Sequence, residues 1–180
     1  MRRSLEAIDA VIGLGANLGE PRATLEAALA ALARLGTLLS VSRLYRTAPV
    51  GGPPQPDFLN AAARLRYFGD AEALLGDLLG IERRFGRMRR ERWGPRVLDL
   101  DLLWIAGRVV RTEVLEVPHP RLTERAFALD PLLDVAPEAL DPHTGRPYRL
   151  AREQLPDAGV VVVASADWGS AAGRGVSRST

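Results

Sequence analysis

Near the middle of the chain, the run Val97-Leu98-Asp99-Leu100-Asp101-Leu102-Leu103-Trp104-Ile105 alternates leucine with aspartate before turning wholly apolar. Successive side chains on a strand point to opposite faces. Leu98, Leu100 and Leu102 therefore face a core, while Asp99 and Asp101 share the other face with Cα atoms roughly 6.6 Å apart. Aspartate is a poor strand former, and two like charges on one face repel. Something must offset that cost. A divalent cation does so, and two carboxylates at this spacing suit a metal pair about 3.5–4 Å apart. Salt bridges to neighbouring arginines would serve as well, and the spacing alone does not choose between the two.

Those arginines are at hand. Arg83, Arg84, Arg87, Arg89, Arg90, Arg92 and Arg96 fall within fourteen residues, relieved only by Glu91. Guanidinium forks match phosphate oxygens, so acids for metal beside arginines for phosphate is the layout of a metal–nucleoside triphosphate site. A solvated surface loop and a nucleic-acid surface are the competing readings. An RNA-binding sheet of this kind would carry a K/R-G-F/Y-G/A-F-V-x-F/Y strand, and the chain has none. All 24 basic residues are arginine. Without lysine there is no Schiff base and no P-loop lysine. Without cysteine there are no disulfides or thiolate metal sites, which suits a reducing cytoplasm. The net charge of +2 makes local clustering, not global charge, the source of anion binding.

The 180 residues fill one domain. Ile8–Leu14 reads as a first strand. A helix follows from Pro21 to Leu35, with Leu25, Ala28, Leu29, Leu32 and Leu35 on one face and Gly36 ending it. Leu38–Arg46 and Phe58–Tyr67 read as strands flanking the Pro/Gly-rich Thr47–Asp57. Asp70 caps a second helix that carries Leu74, Leu75, Leu78, Leu79 and Ile81 inward and stops at Gly86. The fourth strand is Val97–Ile105. This order, β-α-β-β-α-β, predicts an α+β, ferredoxin-like antiparallel sheet with helices on one face. Short helical pieces follow around Leu122–Ala136. Residues 1–164 are expected to form the domain and 165–180 a flexible tail. Gly13-Leu14-Gly15-Ala16-Asn17-Leu18-Gly19 fails the dinucleotide fingerprint at Leu18 and is expected to be a strand-to-helix turn, with Asn17 tolerating an unusual backbone angle. Glu6 and Asp9 break any signal-peptide core, and no apolar stretch approaches the roughly 20 residues of a membrane span. The expectation is a cytoplasmic protein with no membrane or nucleic-acid partner. A monomer is the default reading, although the sequence leaves the oligomeric state open.

Three ordered segments carry a resemblance: "SRLYRTAPVGGPPQPDFLNAA", "RWGPRVLDLDLLW" and "VPHPRLTERAFAL". Together they closely resemble the 6-hydroxymethyl-7,8-dihydropterin pyrophosphokinases of folate biosynthesis, from about Ile8 to Glu138. The resemblance implies the ferredoxin-like fold, ATP as co-substrate, two Mg2+ ions, and transfer of pyrophosphate to the pterin hydroxymethyl group with release of AMP. It makes Asp99 and Asp101 the Mg2+ ligands. Arg87 and Arg96 then lie near the triphosphate, with Arg89, Arg92 and Trp93 in a mobile catalytic loop. Glu82 and His119 take nucleotide-side positions. Thr47, Ala48 and Val50 present backbone to the pterin edge, Asn60 reads it by its amide, and Phe58 and Phe127 stack on its faces. The residues agree independently on one point. Phe58 and Asn60 are two apart on a strand and share a face, placing a flat aromatic beside a paired donor and acceptor.

The chain departs from the family pattern in four places. Phe58 stands where tyrosine is familiar, Ala48 where proline is common, and Pro120 where tyrosine can occur; the arginine loop is one residue short. The resemblance further implies attack at the β-phosphorus, with closure of Gly51–Pro56 and Gly86–Gly94 over the substrates. A different Mg–ATP transferase on the same fold, or a non-catalytic anion-binding module, remain alternatives at this level.

Overall fold

The computed structural model describes residues 6–86, 94–157 and 159–173. Arg87, Arg89, Arg92 and Trp93 lie outside the described residues.

Strand β1 (Ala7–Ala16) is followed by helix α1 (Pro21–Leu32), strands β2 (Gly36–Val41), β3 (Leu44–Thr47) and β4 (Phe58–Phe68), helix α2 (Ala71–Arg84) and strand β5 (Asp99–Ile105). A small hairpin, β6 (Val110–Arg111) and β7 (Glu116–Val117), leads through a 3-10 turn to α3 (Ala126–Val135), α4 (Tyr148–Glu153) and β8 (Val160–Ala164). Every pairing is antiparallel, in the order β5-β1-β4-β3-β8, with β2 also on β4. This is the ferredoxin-like arrangement, with β8 added at one edge. Helix α2 starts where its sequence says. The Asp70 carboxylate accepts from the Ala73 amide at 2.8 Å, and Arg83 and Arg84 occupy the last turn, where the helix dipole favours cations.

The helices do not all lie on one face. One core joins α1 and α2 to the sheet face of Ile8, Ile12, Leu65, Leu98, Leu100 and Leu102. A second joins α3 to the opposite face through Val11, Ala62, Leu103 and Trp104. Leu103 and Trp104 are adjacent yet share that second face. Ile12 pairs with Leu102 and Val11 with Trp104, so Leu103 is a bulged extra residue that inverts the alternation beyond it.

The expected strand Leu38–Arg46 is two strands, broken at Ser42. The Ser42 hydroxyl accepts the Ala62 amide at 2.8 Å, in place of a backbone carbonyl. The Ser42 carbonyl turns instead to the Trp168 indole N–H at 2.8 Å. The tail expected from residue 165 is thereby corrected in part. Ala166–Gly173 forms a 3-10 helix in contact with α1, and Trp168 is only 5% exposed. Its indole is apolar enough to join the main core and polar enough to bond the Ser42 carbonyl. Replacing Trp168 with alanine should cost about 3 kcal/mol of unfolding free energy in urea denaturation; an unchanged midpoint would restore the flexible-tail expectation.

Candidate active site

The register of the sheet builds the floor. Asp99 on β5 lies opposite Gly15 on β1, and Gly15 lies opposite Asn60 on β4. One row further along, Asp101 is opposite Gly13, and Gly13 is opposite Ala62. Residues directly opposite share a face, so Asp99, Asp101 and Asn60 emerge on the α3 side with bare glycine between them. A Cβ at Gly15 would come 3.1 Å from the Asn60 amide oxygen, and one at Gly13 would come 3.1 Å from a Leu103 methyl. Gly13 and Gly15 are thus strand residues whose missing side chains leave the hollow open, contrary to the expected turn. The turn itself is served by Gly19, at φ 63°.

Two adjoining clefts share Asp99, Gly15, Asn60 and Phe127. The first adds Asp101, His119, Leu122 and Arg125; the second adds Thr47, Ala48, Val50, Phe58, Gly94 and Arg96. The structure therefore brings together Asp99, Asp101, Arg96, Thr47, Ala48, Val50, Phe58, Asn60, His119 and Phe127. It does not bring Glu82. That carboxylate is 1% exposed behind β5, where it accepts the Leu100 amide at 2.7 Å, on the α2 face of the sheet.

Electrostatics in the hollow are strained by its own acids. Burial first, and the Asp99 charge second, push the Asp101 carboxyl up to about 7, although Arg125 and Arg96 pull the other way. Arg96 pairs with Asp99, Nη1 to Oδ2 at 2.6 Å. Of the alternatives that the D-x-D spacing left open, the arginine pairing is the one observed, at Asp99, and both acids line the cleft. Asn60 donates to the Thr47 hydroxyl at 2.6 Å and is 8% exposed, so its amide is fixed before any ligand arrives. His119 is anchored by its backbone N–H to the Leu103 carbonyl at 2.9 Å, and its Nδ1 accepts the Arg121 amide at 3.2 Å. Burial, then the Arg125 charge, lower its pKa. The ring is accordingly neutral, with its proton on Nε2.

Two residues escaped the sequence reading. Arg125 lies 5.7 Å over the Phe127 ring and close enough to both acids for its charge to act on Asp101. Its place depends on the 3-10 turn before α3, which no periodicity announces. Asn17, expected only to tolerate a turn, is 3% exposed and bonded to two other loops.

This geometry has known counterparts. The model of 7,8-dihydro-6-hydroxymethylpterin-pyrophosphokinase matches residues 11–137. A 2-amino-4-hydroxy-6-hydroxymethyldihydropteridine pyrophosphokinase of Synechocystis sp. is 41% identical over 148 residues, covering 81% of this chain and 75% of its own. The protein of the same name from Pseudomonas aeruginosa is 44% identical over 129 residues, covering 71% and 80%. Among solved structures, Plasmodium falciparum HPPK-DHPS with pteroate superposes at a TM-score of 0.69 with 15% identity, which bears on the fold alone. The match covers 86% of this chain and 43% of that longer one. With the matched model spanning the acids, the arginine and both phenylalanines of the hollow, the chain belongs to the 7,8-dihydro-6-hydroxymethylpterin-pyrophosphokinase family of enzymes.

Proposed function

We propose that this chain transfers the pyrophosphoryl group of ATP to the hydroxymethyl group of 6-hydroxymethyl-7,8-dihydropterin, in a Mg2+-dependent cytoplasmic step of folate biosynthesis. The carrying observation is that an acid pair and a slot for a flat ring adjoin through shared Asp99, Gly15, Asn60 and Phe127.

On the pterin side, Phe58 and Phe127 offer aromatic faces, and the fixed Asn60 amide offers a donor–acceptor edge. The Thr47–Val50 segment lines the same slot. On the nucleotide side, Arg96 and Arg125 are available to phosphate oxygens, and His119 presents a neutral N–H donor. Arg87, Arg89, Arg92 and Trp93 join this proposal by resemblance.

The acid pair fits magnesium. Among the described residues no group of three or more metal-ligating side chains occurs. Two carboxylates on an open floor match an ion that takes few protein ligands and keeps water and phosphate for the rest. Two bound Mg2+ ions would neutralise charge on the triphosphate. Asp99 and Asp101 hold that charge at the floor, Arg96 fixes Asp99, and the phenylalanines aim the hydroxymethyl group. Its oxygen bonds to the β-phosphorus, the bond to the α–β bridging oxygen breaks, the hydroxyl proton passes to water, and AMP leaves. Catalysis here rests on positioning and charge rather than on a strong base.

Two predictions follow from the acids. Asp99→Asn and Asp101→Asn should each lower AMP release by at least about 100-fold; near-normal turnover by either would remove that residue from the site, and ADP as product would point to another Mg–ATP transferase. The second prediction concerns the protein without metal. Because the folded state keeps a proton on Asp101 to about pH 7, it binds more protons than the unfolded chain between about pH 4 and 7. Stability contributed by that group is full below this window and falls as pH rises through it. At pH 8 without metal, Asp101→Asn should melt roughly 2–6 °C above the parent. Added Mg2+ should raise the parent's melting temperature but not the variant's, and a parent indifferent to Mg2+ would refute metal binding.

A further inference from the structure

Asn17 stands at the end of β1, and its carboxamide is used on every side. Its Oδ1 accepts the Arg96 backbone amide at 2.9 Å, while the backbone N–H of Asn17 donates to the Arg96 carbonyl at 3.1 Å. Its Nδ2 donates to Gln55 Oε1 at 3.0 Å and to the Pro56 carbonyl at 2.9 Å. One small side chain thus joins two segments that are distant in sequence. The first leads into Phe58, which lines the flat-ring slot. The second carries Arg96, whose guanidinium grips Asp99 at 2.6 Å. Asn17 is 3% exposed, so losing a partner leaves its own buried donor or acceptor unmet.

We infer that Asn17 is a positioning residue that couples the two halves of the cleft: order imposed at Arg96 and Asp99 is passed to Gln55–Phe58, and the reverse. This deepens the proposed function and rests on it. The alternative is a purely structural clamp, which would hold the fold together without making one substrate's affinity depend on the other. Coupling is reciprocal by thermodynamic necessity, so it can be measured from either side.

Two substitutions separate the clamp's jaws. Asn17→Ala removes all three side-chain bonds. Asn17→Asp keeps an oxygen for the Arg96 amide but turns a second oxygen toward Gln55 and Pro56. Gln55 can rotate its amide to donate; the Pro56 carbonyl cannot, and that jaw opens.

The experiment is calorimetric titration of the full chain in Mg2+, using 6-hydroxymethylpterin and an ATP analogue whose α–β bridge is a methylene, each alone and in the presence of the other. The parent should bind each ligand about 10-fold more tightly when the other is present. In Asn17→Ala that factor should fall to within about 2-fold of unity. Asn17→Asp should hold the ATP analogue within about 3-fold of the parent and lose at least about 10-fold for the pterin. Melting temperature is recorded beside these values, because a merely structural role would move it and leave the coupling intact. A parent that binds no pterin refutes the proposed function itself. A parent that binds both ligands independently, or an Asn17→Ala variant that keeps the parent's factor, overturns the role of Asn17. Should Asn17→Ala show no cooperative melt, the Asn17→Asp affinities decide: parent-like values for both ligands overturn the inference.

Discussion

The lateral alignment of Asp99, Gly15 and Asn60 across three strands is the constraint on which the rest of the site depends. It sets the two recognition chemistries one strand apart on either side of β1. Only glycine at the intervening position leaves room between them, because a methyl group there would press on the Asn60 amide. Antiparallel pairing fixes this alignment rigidly: a slip of one residue would send both acids into the leucine core. The two hydrophobic layers that flank the sheet oppose such a slip, since each locks its own set of alternating side chains.

Against that rigid floor, the walls are built from less regular chain. Arg125 and Phe127 come from the start of α3, His119 from the segment after β7, and Arg96 from the approach to β5. Their positions are secured by individual polar bonds: the Leu103 carbonyl holds the His119 backbone, and Asn17 holds the Arg96 backbone. A scaffold of this kind combines a floor that does not move with walls that have few fastenings. Loops positioned by a rigid sheet are where binding residues concentrate.

Much of this was legible in the sequence, and the failures have physical causes. The D-x-D alternation and the Phe58–Asn60 spacing announced their shared faces, because a strand's period of two leaves no other choice. The Asp70 cap was legible for the same local reason. Three features were not. Ser42 breaks its strand through a hydroxyl that imitates a carbonyl, which depends on Ala62, twenty residues away. The second helical face required knowing that α3 crosses behind the sheet. The order of Ala166–Gly173 depends on Trp168, a lone aromatic in a glycine-rich stretch whose partner lies 126 residues earlier. Each is a long-range contact, invisible to any window read along the chain. Glu82 was placed on the nucleotide side by resemblance; its observed bond to Leu100 gives it a part in holding β5, the strand that bears both acids.

The bulge at Leu103 carries a consequence for how this strand can change. It acts as a phase break, upstream of which odd-numbered residues look toward the hollow and downstream of which the parity reverses. The chemical half and the packing half of β5 are therefore not bound to one alternating pattern. Volume can be traded around Trp104 and Ile105 without forcing compensating exchanges at the acids. Conversely, deleting the bulged residue would leave one unbroken alternation in which Leu102 and Ile105 still face the core and Asp101 and Trp104 the other side, tying the acids and the indole to a single register.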